Sequence, residues 1–345
     1  MLALAGCTTS GPRWEEITLP ATQPVVLRDA VHCADHWYIV GALGSSGAPQ
    51  PSGELQPSGA PQPSGELQPS GADPSPAAWE SSDGRAWRSM RIVPQPGSYY
   101  GPRNVLYSVA CAGGRIAALG AQSGGAHGNP RTSSWIQRKD GALAEVSAPF
   151  ELYGGDEAVD AGRITGGPTG FLIVGNRTSG PAAWVSADGA RFTRHEIGEK
   201  GSLARDGVVL ADRYLLVGGP AAGWESTDGI RWTEARLDGV EAQRVTVLGG
   251  DVIAAGQRGE RFGAWRWRSG SWTDLGDFGT ATPAGLRSLT VWDGHLVAAA
   301  DRVWSTRDGR AWHEVPTPAP PVAVAGAGTD LLLLGGGRAW LAHTV

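Results

Sequence analysis

Three arginines, Arg163, Arg205 and Arg287, share one offset in the repeating units of the chain, and Arg28 and Arg244 stand one position away in theirs. Guanidinium groups gathered around a concave mouth suit a carboxylate or a phosphate, because their planar N–H fork matches either oxyanion. A plain wet, polar mouth is the competing reading. His32-Cys33-Ala34-Asp35-His36 concentrates groups that bind metals. Tyr99, Tyr100 and Tyr153, with Asp156, Glu157 and Asp160, are residue types used in glycoside hydrolysis, where the distance between carboxylates decides the mechanism. No Gly-x-Ser-x-Gly, His-Glu-x-x-His or phosphate-loop pattern occurs, so those three chemistries have no support. No cofactor and no metal site is expected, and no catalytic residue is assigned.

Whether these groups meet depends on the frame that carries them. The 15 tryptophans recur at intervals, which makes them part of a repeat. The clearest unit reads Trp-x-Ser/Thr-x-Asp-Gly-x-x-aromatic. It occurs at Trp79 to Trp87, Trp184 to Phe192, Trp224 to Trp232 and Trp304 to Trp312. Weaker copies stand at Trp135 with Asp140-Gly141 and at Trp265 with Ser269-Gly270, and a last copy ends at Trp340. Each copy follows a short apolar run, with another β-prone run before it and one after its turn. That makes four strands per unit, and such a period indicates a propeller. The final unit lacks a fourth strand, and Arg13-Trp14-Glu15-Glu16-Ile17 resembles one. We therefore expect an all-β, seven-bladed β-propeller over residues 13–345, closed by the N-terminal strand pairing with the last blade.

The turn unit resembles the Asp-box of sialidases, other glycosidases and many non-enzymatic propellers. Asp83, Asp140, Asp188, Asp228 and Asp308 are expected to be structural. A carboxylate accepts backbone N–H bonds inside the hairpin, and the following Gly supplies a positive φ. The same resemblance makes a sialidase-like hydrolase, with an arginine-lined mouth, the alternative to a pure binding protein. Against it, sialidases resemble six-bladed rings, and their Arg-Ile-Pro signature maps only imperfectly onto Arg91-Ile92-Val93-Pro94.

The strand order predicts two faces, one carrying the Asp-Gly hairpins and the other the remaining long connections. The irregular insertions belong to the second face and cluster on blades 1 to 3. Residues 44–76 include two copies of Ser-Gly-Ala-Pro-Gln-Pro-Ser-Gly-Glu-Leu-Gln-Pro, a low-complexity composition that is expected to be disordered. Cys33 and Cys111 occupy matching places in blades 1 and 2. A disulfide between them is geometrically plausible and is preferred to a metal site at His32–His36.

Leu4-Ala5-Gly6-Cys7 resembles the lipobox of bacterial lipoproteins, which implies lipidation at Cys7. Residues 1–12 are then a signal remnant and tether, of which the stretch from Cys7 to Arg13 reaches at most about 20 Å. The expected address is extracytoplasmic, lipid-anchored to the outer face of the cytoplasmic membrane. A net charge of −5 without a basic run argues against nucleic-acid binding. The chain also resembles the lipoprotein-like propellers that help assemble membrane complexes, such as the photosystem II assembly factors. The functional expectation is a monomeric, non-enzymatic binding or assembly scaffold for an envelope protein or a glycan.

Overall fold

The computed structural model describes residues 11–44, 74–122, 131–237 and 240–344. Cys7 and most of the blade 1 insert lie outside the described residues. Seven sheets stand in a ring, and in the first six the strands A to D follow in chain order, antiparallel, from the axis outward. Blade 1 is Val25–Cys33, His36–Leu43, Ser75–Ser81 and Arg88–Ser89; blade 3 is Ala158–Gly167, Gly170–Arg177, Gly180–Ser186 and Thr193–Glu196. Blade 7 takes strands A to C from Ala323–Ala327, Asp330–Gly335 and Arg338–His343. Its fourth strand is Trp14–Ile17, paired from Trp14↔Ala342 to Ile17↔Ala339. Closure leaves no open face between the first and last blades. Blade 2 departs from the pattern: Ile92–Val93 adds a fifth strand, parallel to strand D at Leu143–Glu145.

The sheets pack face to face, so the middle strands are buried on both sides. This explains why they read as continuous apolar runs such as Leu331–Leu334. Tryptophan indoles lie between blades and donate across the junctions. Trp79 Nε1 bonds Pro20 O at 2.9 Å, and Trp184 Nε1 bonds Leu152 O at 2.7 Å.

The repeated turns are built from residues two or three apart. Asp83 Oδ1 accepts from the N–H groups of Arg85 and Ala86, both at 2.8 Å, and from Ser81 Oγ at 2.9 Å, while Gly84 takes φ +71°. Asp188, Asp228 and Asp308 repeat this pattern. In Asp83, Asp228 and Asp308 the backbone N–H bonds hold the carboxyl below the usual range. Asp140 keeps one backbone bond, from Ala142, and otherwise pairs with Arg91.

Five inner strands carry a β-bulge at one level of the ring, between Leu27/Asp29, Leu106/Ser108, Ala161/Arg163, Ala204/Asp206 and Ala242/Arg244. Opposite the front of each bulge, strand B carries a glycine: Gly41, Gly120, Gly175, Gly218 or Gly256. A Cβ at Gly41, Gly175, Gly218 or Gly256 would collide with a strand A carbonyl. Blade 6 has no such shift, and Ala300 fits at the matching place. Gly218→Ala is therefore expected to lower stability by about 1–3 kcal/mol, as overpacking does; a urea melt of the variant checks this.

Cys33 and Cys111 are joined as a disulfide, with Cα atoms 5.3 Å apart, across 78 residues of sequence. It ties the inner strand of blade 1 to that of blade 2. In the chain-entropy view a loop of this length gives about 4 kcal/mol. The double substitution Cys33→Ser/Cys111→Ser should lower the melting temperature, and added reductant should lower that of the wild type but not of the variant.

Candidate functional site

Two places on the face of the long connections gather functional groups: the mouth of the axial channel and a cleft between blades 2 and 3.

At the channel, each inner strand exposes an edge with no neighbouring strand. The residue just past the bulge turns toward the next blade and caps a backbone N–H there. Val109 N–H donates to Asp29 Oδ2 (3.1 Å), Ile164 to Ser108 Oγ (3.2 Å) and Val245 to Asp206 Oδ2 (3.2 Å); Ser288, at the same level in the unbulged blade 6, accepts likewise from Val324 (3.2 Å). Arg163 and Arg244 occupy this same level in blades 3 and 5 and cannot accept. Arg163 instead pairs with Asp206 at 3.5 Å and, across the axis, with Asp29 at 3.9 Å. Arg244 donates to Arg287 O at 2.7 Å and to Gln243 O at 2.5 Å. Burial, then the charge of Arg163, push the Arg244 guanidinium down to about 10, so it remains a cation at neutral pH.

The register divides the five sequence-flagged arginines into two sets. Arg163 and Arg244 follow their bulges, whereas Arg28, Arg205 and Arg287 stand one position earlier. Arg205 pairs with Glu241 at 2.9 Å. Arg287 donates to Pro321 O at 2.8 Å and pairs with Asp301 at 3.4 Å. Arg28 has no acidic partner among the described residues; its Nε is buried without a hydrogen bond, and burial lowers its pKa from the ordinary value. The cluster is thus a charge-compensated lattice across the axis, with four of its five arginines already engaged by acids or carbonyls.

The cleft is made by two connections. The link from blade 1 to blade 2 runs along the outer edge of blade 2, adds the strand Ile92–Val93, and turns through the 3-10 segment Gly101–Arg103. Glu145, buried at the end of strand D, clamps it: Oε2 accepts from Gln95 N–H at 2.8 Å and Oε1 from Ser98 Oγ at 3.0 Å. The next link forms the single helical turn Phe150–Tyr153. Between them lies a cleft of about 710 Å³ lined by Gln95, Tyr100, Arg131, Phe150, Tyr153 and Asp156, among others. Tyr99 and Phe150 are 65% and 53% exposed, unusual for large apolar rings. The Arg131 guanidinium lies 4.6 Å from the Phe150 ring centre and 5.9 Å from that of Tyr100, and Arg103 covers Tyr99 at 4.6 Å.

The tyrosines and carboxylates flagged in the sequence converge only in part. Tyr100, Tyr153 and Asp156 line the cleft, Glu157 pairs with Arg177 at 3.8 Å, and Asp160 lies on the inner strand of blade 3. The residues that sequence reasoning missed are Asp29, Asp206, Ser108 and Ser288 at the axis, and Arg131 and Phe150 in the cleft. A glycine near the end of the apolar second strand in blades 1 to 5 was a readable sign of their bulges.

The chain has the fold of solved β-propellers. The structure described as YCF48 bound to D1 peptide aligns at TM-score 0.58 and 14% identity, covering 97% of this chain and 98% of that one. The WD40 propeller domain of Doa1 aligns at 0.60 and 11%, covering 96% and 97%. The computationally designed Ika8 protein aligns at 0.52 and 9%, covering 95% and 99%. At these identities the likeness establishes the fold alone. No protein-family model and no curated protein sequence matches the chain.

Asp160 sits between the two places. Burial pushes its carboxyl up to about 6, opposed by the Asn176 amide (3.0 and 3.3 Å) and by Arg205. The folded carboxyl therefore holds its proton more tightly than the unfolded one. Its stabilising contribution is present below the ordinary carboxylate pKa and is lost as pH rises through about 6. Asp160→Asn keeps an acceptor for Asn176 and carries no charge. It should stabilise the protein at about pH 8 by at most about 3 kcal/mol, with the gain vanishing near pH 4; paired denaturant melts at the two pH values test this.

Proposed function

We propose that this chain is an extracytoplasmic, lipid-tethered propeller that serves as a binding or assembly scaffold for an envelope protein, with the cleft between blades 2 and 3 as its working surface. One observation carries the reading. Seven nearly equivalent units depart from their repeat on one face, over blades 1 to 3, and there the chain leaves Tyr99 and Phe150 open beside a preformed cleft. Loops that break a repeat on one face of a ring are where partners bind. The cleft volume falls in the ordinary range for ligand pockets. The neighbour described as YCF48 bound to D1 peptide is a propeller of matching length with a peptide on it, which supports a polypeptide partner. The lipobox-like Leu4-Ala5-Gly6-Cys7 and the Cys33–Cys111 bond both favour an oxidising compartment outside the cytoplasm.

Binding is favoured over glycoside hydrolysis by what the carboxylates already do. Asp29, Asp206 and Glu145 have oxygens engaged by backbone N–H groups, and Asp160 is held by Asn176. Glu145 and Asp156 share the cleft with Tyr100 and Tyr153, but Glu145 is already held there by Gln95 N–H and Ser98 Oγ.

A photo-crosslinking residue in place of Phe150, in host cells, tests the reading, with Ile230 on the opposite face as control (61% exposed). The expected result is a discrete adduct with an envelope protein from position 150 and none from position 230. Cys7→Ser should move the chain from the membrane to the soluble fraction and diminish that adduct. Equal labelling from both positions, or none from position 150, would overturn the cleft as the working surface.

A further inference from the structure

The axis of the ring holds a second pocket, on the side opposite the cleft. It measures about 400 Å³ and is lined by all seven inner strands. Its inner end is the Arg163–Asp206 level, and its outer rim includes Val247, 37% exposed. The lattice of Arg163, Arg244, Asp29 and Asp206 lies across the axis there, so the pocket is blind. From the structure we infer that this pocket is a binding site for a small neutral polyol of monosaccharide size. The inference does not rest on the scaffold reading.

The charge argument comes first. Two guanidinium groups and two carboxylates at the blind end cancel, so neither an anion nor a cation gains a net Coulomb attraction there. An ion would also exchange full hydration for a site already compensated. The hydrogen-bond argument comes second. Arg163 is ion-paired, but its N–H groups make no hydrogen bond with the described residues, and 26% of its side chain faces open space. Two residues further along their strands lie Thr165, Thr246 and Thr290, all lining the pocket and all part-exposed. Thr290 Oγ1 accepts from Gly326 N–H and retains its own proton for donation. The hydroxyls of Thr165 and Thr246 have no hydrogen bond among the described residues. The site therefore offers donors and acceptors in alternation, with the edges of Val-rich strands between them. A sugar ring has that same composition, hydroxyls around an apolar carbon frame, and each hydroxyl both donates and accepts. A purely apolar ligand would leave the Arg163 N–H groups and the threonine hydroxyls desolvated and unpaired.

The test is calorimetric and thermal titration of the full chain with D-glucose, D-mannose and N-acetyl-D-glucosamine, with sodium acetate and sodium phosphate as anion comparators. We expect at least one sugar to raise the melting temperature with concentration, and neither anion to do so. Thr165→Val and Thr246→Val conserve shape, so folding should be retained. Each should weaken sugar binding about fivefold to tenfold, the effect of one hydrogen bond. Phe150→Ala, in the other cleft, should leave it unchanged. Sugar binding that survives the double variant Thr165→Val/Thr246→Val would place the ligand elsewhere and overturn the inference. An equal response to acetate or phosphate, or no response to any sugar, would overturn it as well.

Discussion

Seven sheets that meet around an axis each present an inner edge with nothing beside it. Unpaired backbone donors in a protein interior are costly, and most other features of this molecule follow from how that cost is met. The residue past each bulge is turned sideways so that its side chain reaches the next blade, as Asp29 does to Val109 and Ser108 to Ile164. The bulge requires strand A to approach strand B closely, and so requires the glycines at 41, 175, 218 and 256. Where the capping residue is an arginine, as in blades 3 and 5, the neighbour must supply an acid or a carbonyl. The charged lattice across the axis is the outcome.

This constraint also separates the two faces by purpose. Hairpins with Asp83, Asp188, Asp228 and Asp308 satisfy themselves locally and vary little. The opposite connections have no such internal bonding rule and can lengthen. Blade 2 uses that freedom most. Its incoming link runs along the outer sheet edge, where Glu145 holds it, and so shapes one wall of the cleft.

How much of this was legible in the sequence follows from the range of each interaction. The turns were readable because Ser81, Asp83 and Arg85 lie within a few residues of one another. The ring and its closing strand were readable because Trp14 and Glu15 copy the pattern of Trp312 and His313. The strand Ile92–Val93 was not, since two residues pair with a segment about fifty positions away and carry no periodic signal. The arginine ring was half-legible. Counting along the chain grouped Arg163 with Arg205, but each bulge shifts pairing by one residue, and the register sets Arg205 beside Arg28 and Arg287 instead. Asp29 and Asp206 were invisible because their partners are backbone atoms of another blade, which no local pattern encodes. Arg131 and Phe150 were missed for a similar reason: Arg131 opens strand C of blade 2 and Phe150 sits in the link that follows that blade, and only their packing brings them together.

The pairing of Trp14–Ile17 with Arg338–His343 has a meaning in time as well as in space. The strand Trp14–Ile17 cannot reach its place until the strand Arg338–His343 has been made. Until then blade 7 has no outer strand, and the opening stretch has no partner. The pairing joins the first described strand to the last, across the sequence of the whole ring. Contacts of that kind form late, after local hairpins have supplied the surfaces they join. Closure of the ring thus depends on a pairing of high sequence separation, which the hairpins within each blade do not need.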